Sequence, residues 1–195
     1  MKPFETGCEQ GGDGLHPSDA TELSSVAFPK DAMELVCPYR FHLPLAPKVA
    51  AQMESVTVEF SRVIECFNAI SDRHDLTLVE GAGGLLVPIC DNRTYADLAK
   101  ALGTPVLLVV ANKLGAINHT LLTVEVAQAR GLEVLGYVLN QTEPGSTPAM
   151  ETNGCALREM TDVPCLGEIP FLGEGGDVAH LFRRFLRFDL NKVSP

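Results

Sequence analysis

The feature that most constrains this chain is the run Val106-Leu107-Leu108-Val109-Val110-Ala111, six apolar residues bounded by Pro105 and Asn112. It is too short for a core helix and has no polar side to turn toward water, so it reads as a strand buried on both faces. Similar short runs follow at Val134–Leu139 and Cys165–Ile169, and one precedes at Leu76–Val79. The stretches between them read as helices, Ala116–Ala129 closed by Gly131 and Pro148–Met160 opened by its proline. Strands alternating with helices make βαβ units, whose crossovers build a parallel sheet. The expected fold is therefore α/β, a three-layer parallel sheet with helices on both faces. No repeat, linker or low-complexity run divides the 195 residues, so a single domain spanning 1–195 is expected.

Open parallel sheets bind ligands beyond the carboxyl ends of their strands. Each strand here ends in polar or glycine-rich residues, which places Glu80, Lys113, Asn118 and Asn140 on that edge and leads us to expect one crevice. The Leu76–Val79 run passes through Glu80 into Gly81-Ala82-Gly83-Gly84. A carboxylate at a strand end suits a hard cation such as Mg2+, and the small residues after it let backbone N–H groups approach an anion. The same pattern also describes a glycine turn with Glu80 merely solvated, and the residues alone leave both readings open. Gly115 to Asn118 open a helix, a natural seat for a carboxylate or phosphate.

Charge narrows the partners. A net charge of -10 gives no electrostatic case for nucleic acid or an anionic membrane. No stretch approaches the roughly 18 uninterrupted apolar residues of a membrane-spanning helix, and Met1-Lys2-Pro3-Phe4-Glu5-Thr6-Gly7 lacks the apolar core of a signal peptide. A cytoplasmic protein is expected. The six cysteines show no CxxC spacing, so free thiols, several of them buried, are the default. Asn-x-Thr sequons at Asn92, Asn118 and Asn140 carry no glycosylation meaning in that compartment.

The first half of the chain is more broken. Met1 to Asp19 reads as glycine-set turns, with Ser18-Asp19 as the N-cap of a helix Ala20–Ser25. An extended piece is expected over Tyr39–His42 and a helix from Pro47 to about Met53. Apolar residues at Phe60, Val63, Ile64, Phe67 and Ile70 predict an amphipathic helix within Thr57–Asp72. A short helix Thr94–Leu102 stops at Gly103, and a last amphipathic helix is expected over Val178–Phe188 with Arg183, Arg184 and Arg187 outward.

Four internal stretches occur in the order seen in one enzyme family: Val79-Glu80-Gly81-Ala82-Gly83-Gly84, Tyr95-Ala96-Asp97-Leu98-Ala99, Lys113-Leu114-Gly115-Ala116-Ile117-Asn118-His119 and Leu166-Gly167-Glu168-Ile169-Pro170. Lys2-Pro3-x-x-Thr6-Gly7-Cys8, Ser18-Asp19-Ala20, Pro38-Tyr39-Arg40-Phe41 and Pro44-Leu45-Ala46-Pro47 fit the same family. Together they resemble dethiobiotin synthetases over residues 2 to about 177. The resemblance implies a P-loop nucleotide hydrolase fold, a homodimer, and closure of a ureido ring: 7,8-diaminononanoate, CO2 and ATP give dethiobiotin, ADP and phosphate. It implies that Lys2 steadies the transferring phosphoryl group, that Thr6 contacts substrate, and that Asp19 and Glu80 hold Mg2+, which displaces the cap reading of Asp19. Gly81, Ala82 and Gly83 would line nucleotide and substrate. Asn140 with Gln141, and Pro170, Phe171 and Leu172, would frame the adenine, with Asp177 nearby. Gly115, Ala116, Ile117 and Asn118 would present a helix N-terminus to the substrate carboxylate across the dimer interface.

One departure accompanies the resemblance. Family members carry a strand and a Gly-x-x-x-x-Gly-Lys-Thr loop before the Lys-Pro motif, and no Gly-x-x-x-x-Gly-Lys-[Ser/Thr] occurs in these 195 residues. That loop cradles the β- and γ-phosphates. The expectation is a truncated form of the family, with the motif encoded in frame upstream. Two alternatives stand beside the synthetase reading: a non-catalytic truncated fragment that binds or dimerises, and another Mg-ATP ligase of the same fold.

Overall fold

The computed structural model describes residues 1–12, 14–27, 31–173, 180 and 184. The chain forms two compact units, Met1–Gly103 and Thr104–Pro195.

In the first unit, β1 (Phe4–Thr6) is followed by an antiparallel hairpin of β2 (Glu9–Gly11) and β3 (Gly14–His16). Helices α1 (Ser18–Ala27) and α2 (Met33–Val36) lead to β4 (Tyr39–Phe41), which pairs in parallel with β1, Phe4 opposite Tyr39 and Thr6 opposite Phe41. Pro47 opens α3 (Pro47–Met53), where its missing N–H costs nothing. The amphipathic α4 (Phe60–Ser71) buries Val63, Cys66 and Ile70. A second hairpin, β5 (Pro88–Cys90) with β6 (Arg93–Thr94), runs into α5 (Tyr95–Leu102). That helix is fixed at its start by Asp97, whose Oδ2 accepts from the Thr94 N–H and hydroxyl at 2.7 Å each. It stops at Gly103, which is left-handed at φ 66°. The core joins Phe4, Phe41, Val63, Ile89 and Leu98. Phe4 stacks on Tyr39 at 5.5 Å and meets Tyr95 edge-on at 6.0 Å, pairs worth about 0.5–1.5 kcal/mol each beyond their burial.

The second unit is a regular βαβαβ chain: β7 (Val106–Ala111), α6 (Ala116–Ala129), β8 (Val134–Asn140), α7 (Pro148–Met160) and β9 (Cys165–Ile169). Its three strands are parallel in the order β7-β8-β9, as the alternation in the sequence requires. Tyr137, Leu139 and Leu157 are fully buried in its core beside Val110, Val124 and Val163.

Several expectations need correction. The run Leu76–Val79 is not a buried strand. Among the described residues its one backbone partner is Met1, whose ammonium donates to the Leu78 carbonyl at 2.7 Å and whose carbonyl accepts from the Glu80 N–H at 2.9 Å. With so little sheet beside it, Leu78 stays 68% exposed. The β7 strand exists, yet it is not fully buried: Val109 is 68% exposed, because β7 lies at the edge of its sheet. The helix expected at Ala20 begins at Ser18, so Ser18 and Asp19 lie inside its first turn. The expected helix Val178–Phe188 and Asp177 lie outside the described residues, except that His180 and Arg184 are helical. Among the described residues no helix is long and apolar enough to cross a membrane.

Candidate active site

The site in the first unit is built around Lys2. Its N–H donates to the Val36 carbonyl at 2.8 Å, which fixes the chain just before β1. The two bonds between Met1 and the Leu78–Glu80 segment set a parallel register that brings Lys2 beside Glu80. The Lys2 side chain is 5% exposed, and its Nζ lies 2.8 Å from Asp19 Oδ2 and 2.7 Å from Glu80 Oε1. Three residues far apart in the sequence and expected to act together thus meet at one nitrogen. Burial alone would drive the lysine toward neutrality, but the hydrogen bonds to Asp19 and Glu80 outweigh it and raise its pKa above the ordinary 10.5.

Both carboxylates are about half exposed while the ammonium is buried beneath them. Hard oxygens open to water on one side suit Mg2+, which takes one or two protein carboxylates and fills its octahedron with water and phosphate oxygens. No group of three or more His, Cys, Asp or Glu side chains is placed to hold a metal among the described residues, which argues against a closed all-protein cage.

Asp19 is held from a second direction. Glu5, on β1, is 3% exposed. Its Oε1 accepts from the Asp19 N–H at 2.9 Å and from the Ser18 hydroxyl at 3.3 Å, and its Oε2 accepts from the Ala20 N–H at 2.9 Å. These amides would otherwise be orphans of the α1 N-terminus. A bond to a charged group contributes about 1.5–3 kcal/mol when buried. The ion pair to Lys2, with one buried and one half-exposed partner, falls between the limits of about 0–1 kcal/mol for an exposed pair and about 3–5 kcal/mol for a buried one. Asp19 is therefore held twice, by its amide on Glu5 and by its carboxylate on Lys2.

The glycine loop follows Glu80 directly. A Cβ on Gly81 would stand 3.2 Å from Cδ1 of Tyr95, tighter than an ordinary contact, so glycine lets this backbone lie on the ring without displacing it. Gly81 and Gly83 are exposed and Ala82 is half-buried. Thr6 closes β1, half-buried, just before Gly7.

In the second unit the remaining expected residues lie at the carboxyl ends of the strands. Gly115, left-handed at φ 93°, turns the chain into α6, whose first residues are Ala116, Ile117 and the exposed Asn118. Asn140 is in register with Ile169, and the Gln141 N–H donates to the Ile169 carbonyl at 2.9 Å, which brings Asn140 and Gln141 to the segment opening at Pro170. Phe171 is 40% exposed, and Leu172 is half-buried. The Gln141 side chain donates to the Glu143 and Gly145 carbonyls and so closes its own loop.

Among the described residues, sequence reasoning missed four buried polar residues: Glu5, Asn112, Thr120 and Asn153. Asn153 Nδ2 donates to Asn112 Oδ1 at 2.8 Å and to the Lys113 carbonyl at 3.0 Å, while Asn112 Nδ2 donates to the Met150 carbonyl at 3.1 Å. This network ties the loop before Gly115 to α7. The visible signal was Asn153-Gly154 inside a helix, a pair with poor helix propensity that calls for a packing reason.

A family model described as AAA domain matches residues 1–177. The ATP-dependent dethiobiotin synthetase BioD of Anaeromyxobacter dehalogenans is 44% identical over 171 residues, 88% of this chain and 75% of that protein. The chain belongs to the dethiobiotin synthetase family. Proteins of the same name from Thermodesulfovibrio yellowstonii and Aromatoleum aromaticum are 40% and 39% identical over 182 residues each, covering 76% and 80% of their own lengths. The resemblance expected from the motifs is thereby borne out, as is the α/β fold with parallel strands.

Proposed function

We propose that this chain is an ATP-dependent dethiobiotin synthetase, closing the ureido ring of 7,8-diaminononanoate with CO2. The observation that carries the reading is the single ammonium of Lys2 held between Asp19 and Glu80. The reaction forms two N–C bonds to one carbon and must remove an oxygen from it. ATP accepts that oxygen as phosphate, leaving ADP, and two protons leave the amines. A fixed positive charge suits this chemistry, because negative charge spreads over the phosphoryl oxygens as they transfer. Lys2 supplies that charge, and its raised pKa keeps it protonated at neutral pH. Mg2+ on Asp19 and Glu80 would neutralise the phosphates of ATP. Thr6 offers a hydroxyl to substrate, and the exposed Gly81 and Gly83 flank Ala82 along the nucleotide and substrate.

The second unit supplies recognition in this reading. Gly115, Ala116, Ile117 and Asn118 present a helix N-terminus to the substrate carboxylate. Asn140, Gln141, Pro170, Phe171 and Leu172 frame the adenine, and Asp177 belongs to the same proposal. The homodimer implied by the resemblance accords with the 88% exposure of Leu114 beside Gly115. Six free thiols accord with a reducing, cytoplasmic setting.

The test is the appearance of dethiobiotin, by mass, in reactions of the chain that require ATP, Mg2+, bicarbonate and the diamine together, with Lys2→Met as control. Product that disappears in the control supports the proposal. Diamine binding by calorimetry without any dethiobiotin would instead favour a non-catalytic binding role.

A further inference from the structure

We propose that Glu5 is a positioning residue of the cation site, holding the first turn of α1 so that the Asp19 carboxylate stays on Lys2, with Glu80 on the same nitrogen. The inference rests on the reading of Asp19 and Glu80 as the pair that holds Mg2+. A carboxylate that is 3% exposed is costly unless it is fully hydrogen-bonded, and among the described residues the Glu5 carboxylate is bonded to groups of the α1 N-terminus: Ser18 Oγ, Asp19 N and Ala20 N. Lys2 and Glu5 lie within one short segment, so Asp19 is gripped at both its ends by the same piece of chain. Its carboxylate sits on Lys2 and its amide on Glu5. The Asp19 side chain itself is 55% exposed, so packing does little to orient it. What orients it is the helix to which it belongs, and that helix is seated on Glu5. A carboxylate at a helix N-terminus also complements the helix dipole, which a neutral side chain would not do. Second-sphere groups of this kind commonly change metal affinity by about tenfold or more when lost.

The experiment titrates Mn2+ into the full chain by water-proton relaxation and compares the unmodified protein with Asp19→Asn, Glu5→Gln, Glu5→Ala and Val163→Ala. Each variant's melting temperature is recorded alongside. The expected result is a loss of Mn2+ affinity of about tenfold or more in Asp19→Asn and of about three- to tenfold in Glu5→Gln. Val163→Ala, a core trimming in the second unit, should lower the melting temperature and leave Mn2+ affinity unchanged. Glu5→Gln keeps the size of the side chain, so it carries the test if Glu5→Ala fails to fold. Mn2+ affinity unchanged in Glu5→Gln, with weakened binding in Asp19→Asn, would overturn the inference and leave the metal reading standing. Unchanged affinity in Asp19→Asn would overturn the metal reading itself. The positioning role of Glu5 falls with it.

Discussion

Replacing Lys2 by methionine removes one charge and little volume, and its consequence can be worked from the geometry. Asp19 Oδ2 and Glu80 Oε1 both lie within 2.8 Å of Nζ, so without the ammonium two carboxylates face one another across its width. Removing one partner of a fully buried ion pair costs about 3–5 kcal/mol. Here Asp19 and Glu80 are 55% and 51% exposed, so water and salt screen much of the repulsion and relaxation outward is open to both. We therefore expect a loss of about 1–2 kcal/mol, between the exposed and buried limits. For a chain of this size that lowers the melting temperature by about 2–8 °C. The vacated position is also one where a divalent cation would be welcome. At a free Mg2+ concentration of about a hundred times the dissociation constant, binding returns about 2.7 kcal/mol, enough to offset the loss. The assay is a thermal melt of both proteins in chelator and across a Mg2+ series. Mg2+ should raise the variant's melting temperature more than that of the unmodified chain. A variant that melts normally in chelator would show that the two carboxylates do not depend on Lys2. One that melts low and ignores Mg2+ would show that they do not form a cation site.

Three further outcomes follow from the same structure. Glu80→Gln should weaken Mg-ATP binding by about tenfold or more, measured by calorimetry, with only a small change in melting temperature because Glu80 is half exposed; binding within about twofold would return Glu80 to the role of a solvated turn residue. The pKa of Lys2 is raised in the folded chain, so its stabilising contribution is complete below the ordinary value of 10.5 and is lost as pH rises through the higher folded value. Melting temperatures of the unmodified chain and Lys2→Met should converge above that pH, and parallel curves would contradict the assignment. Asn153→Ala leaves Asn112 Oδ1 and the Lys113 carbonyl without their donor, which should cost about 1–3 kcal/mol and speed hydrogen exchange in the loop before Gly115.

The second unit was largely legible because its signals are local. Pro148 opens α7, Gly131 follows the end of α6, and the apolar runs of β8 and β9 have the length of strands, so the expected and observed boundaries agree within a residue. In the first unit the extended piece at β4 and the helices α3, α4 and α5 were legible as well, but β1, β2 and β3 were not, because they are three residues long and no periodicity can be read over such a span. Leu76–Val79 misled for the opposite reason. A continuous apolar run states that a segment can be buried on both faces, and only tertiary neighbours decide whether it is. Leu78 and Val109, each exposed at 68%, are apolar residues for which burial was expected and incomplete sheet is found.

The same distinction explains which parts of the site were readable. Lys2, Asp19 and Glu80 were found through family motifs, which mark the residues that touch ligand, and the chain brings those side chains to one nitrogen. Glu5 lies inside one of the same motifs and was passed over, since its partners are backbone amides of a helix whose start was itself misplaced by two residues. A buried carboxylate that answers a helix end leaves no pairing pattern in sequence: no oppositely charged residue at a fixed spacing, no metal-ligand set. Asn112 and Asn153 are hidden in the same way, one amide answering another and a carbonyl across the turn into α6. In both units the unread polar residues hold backbone rather than ligand, Glu5 beneath the helix that carries Asp19 and Asn153 against the loop that leads to Gly115. Motifs thus name the groups that meet the substrate, while the buried polar residues that aim them become visible only when the chain is folded.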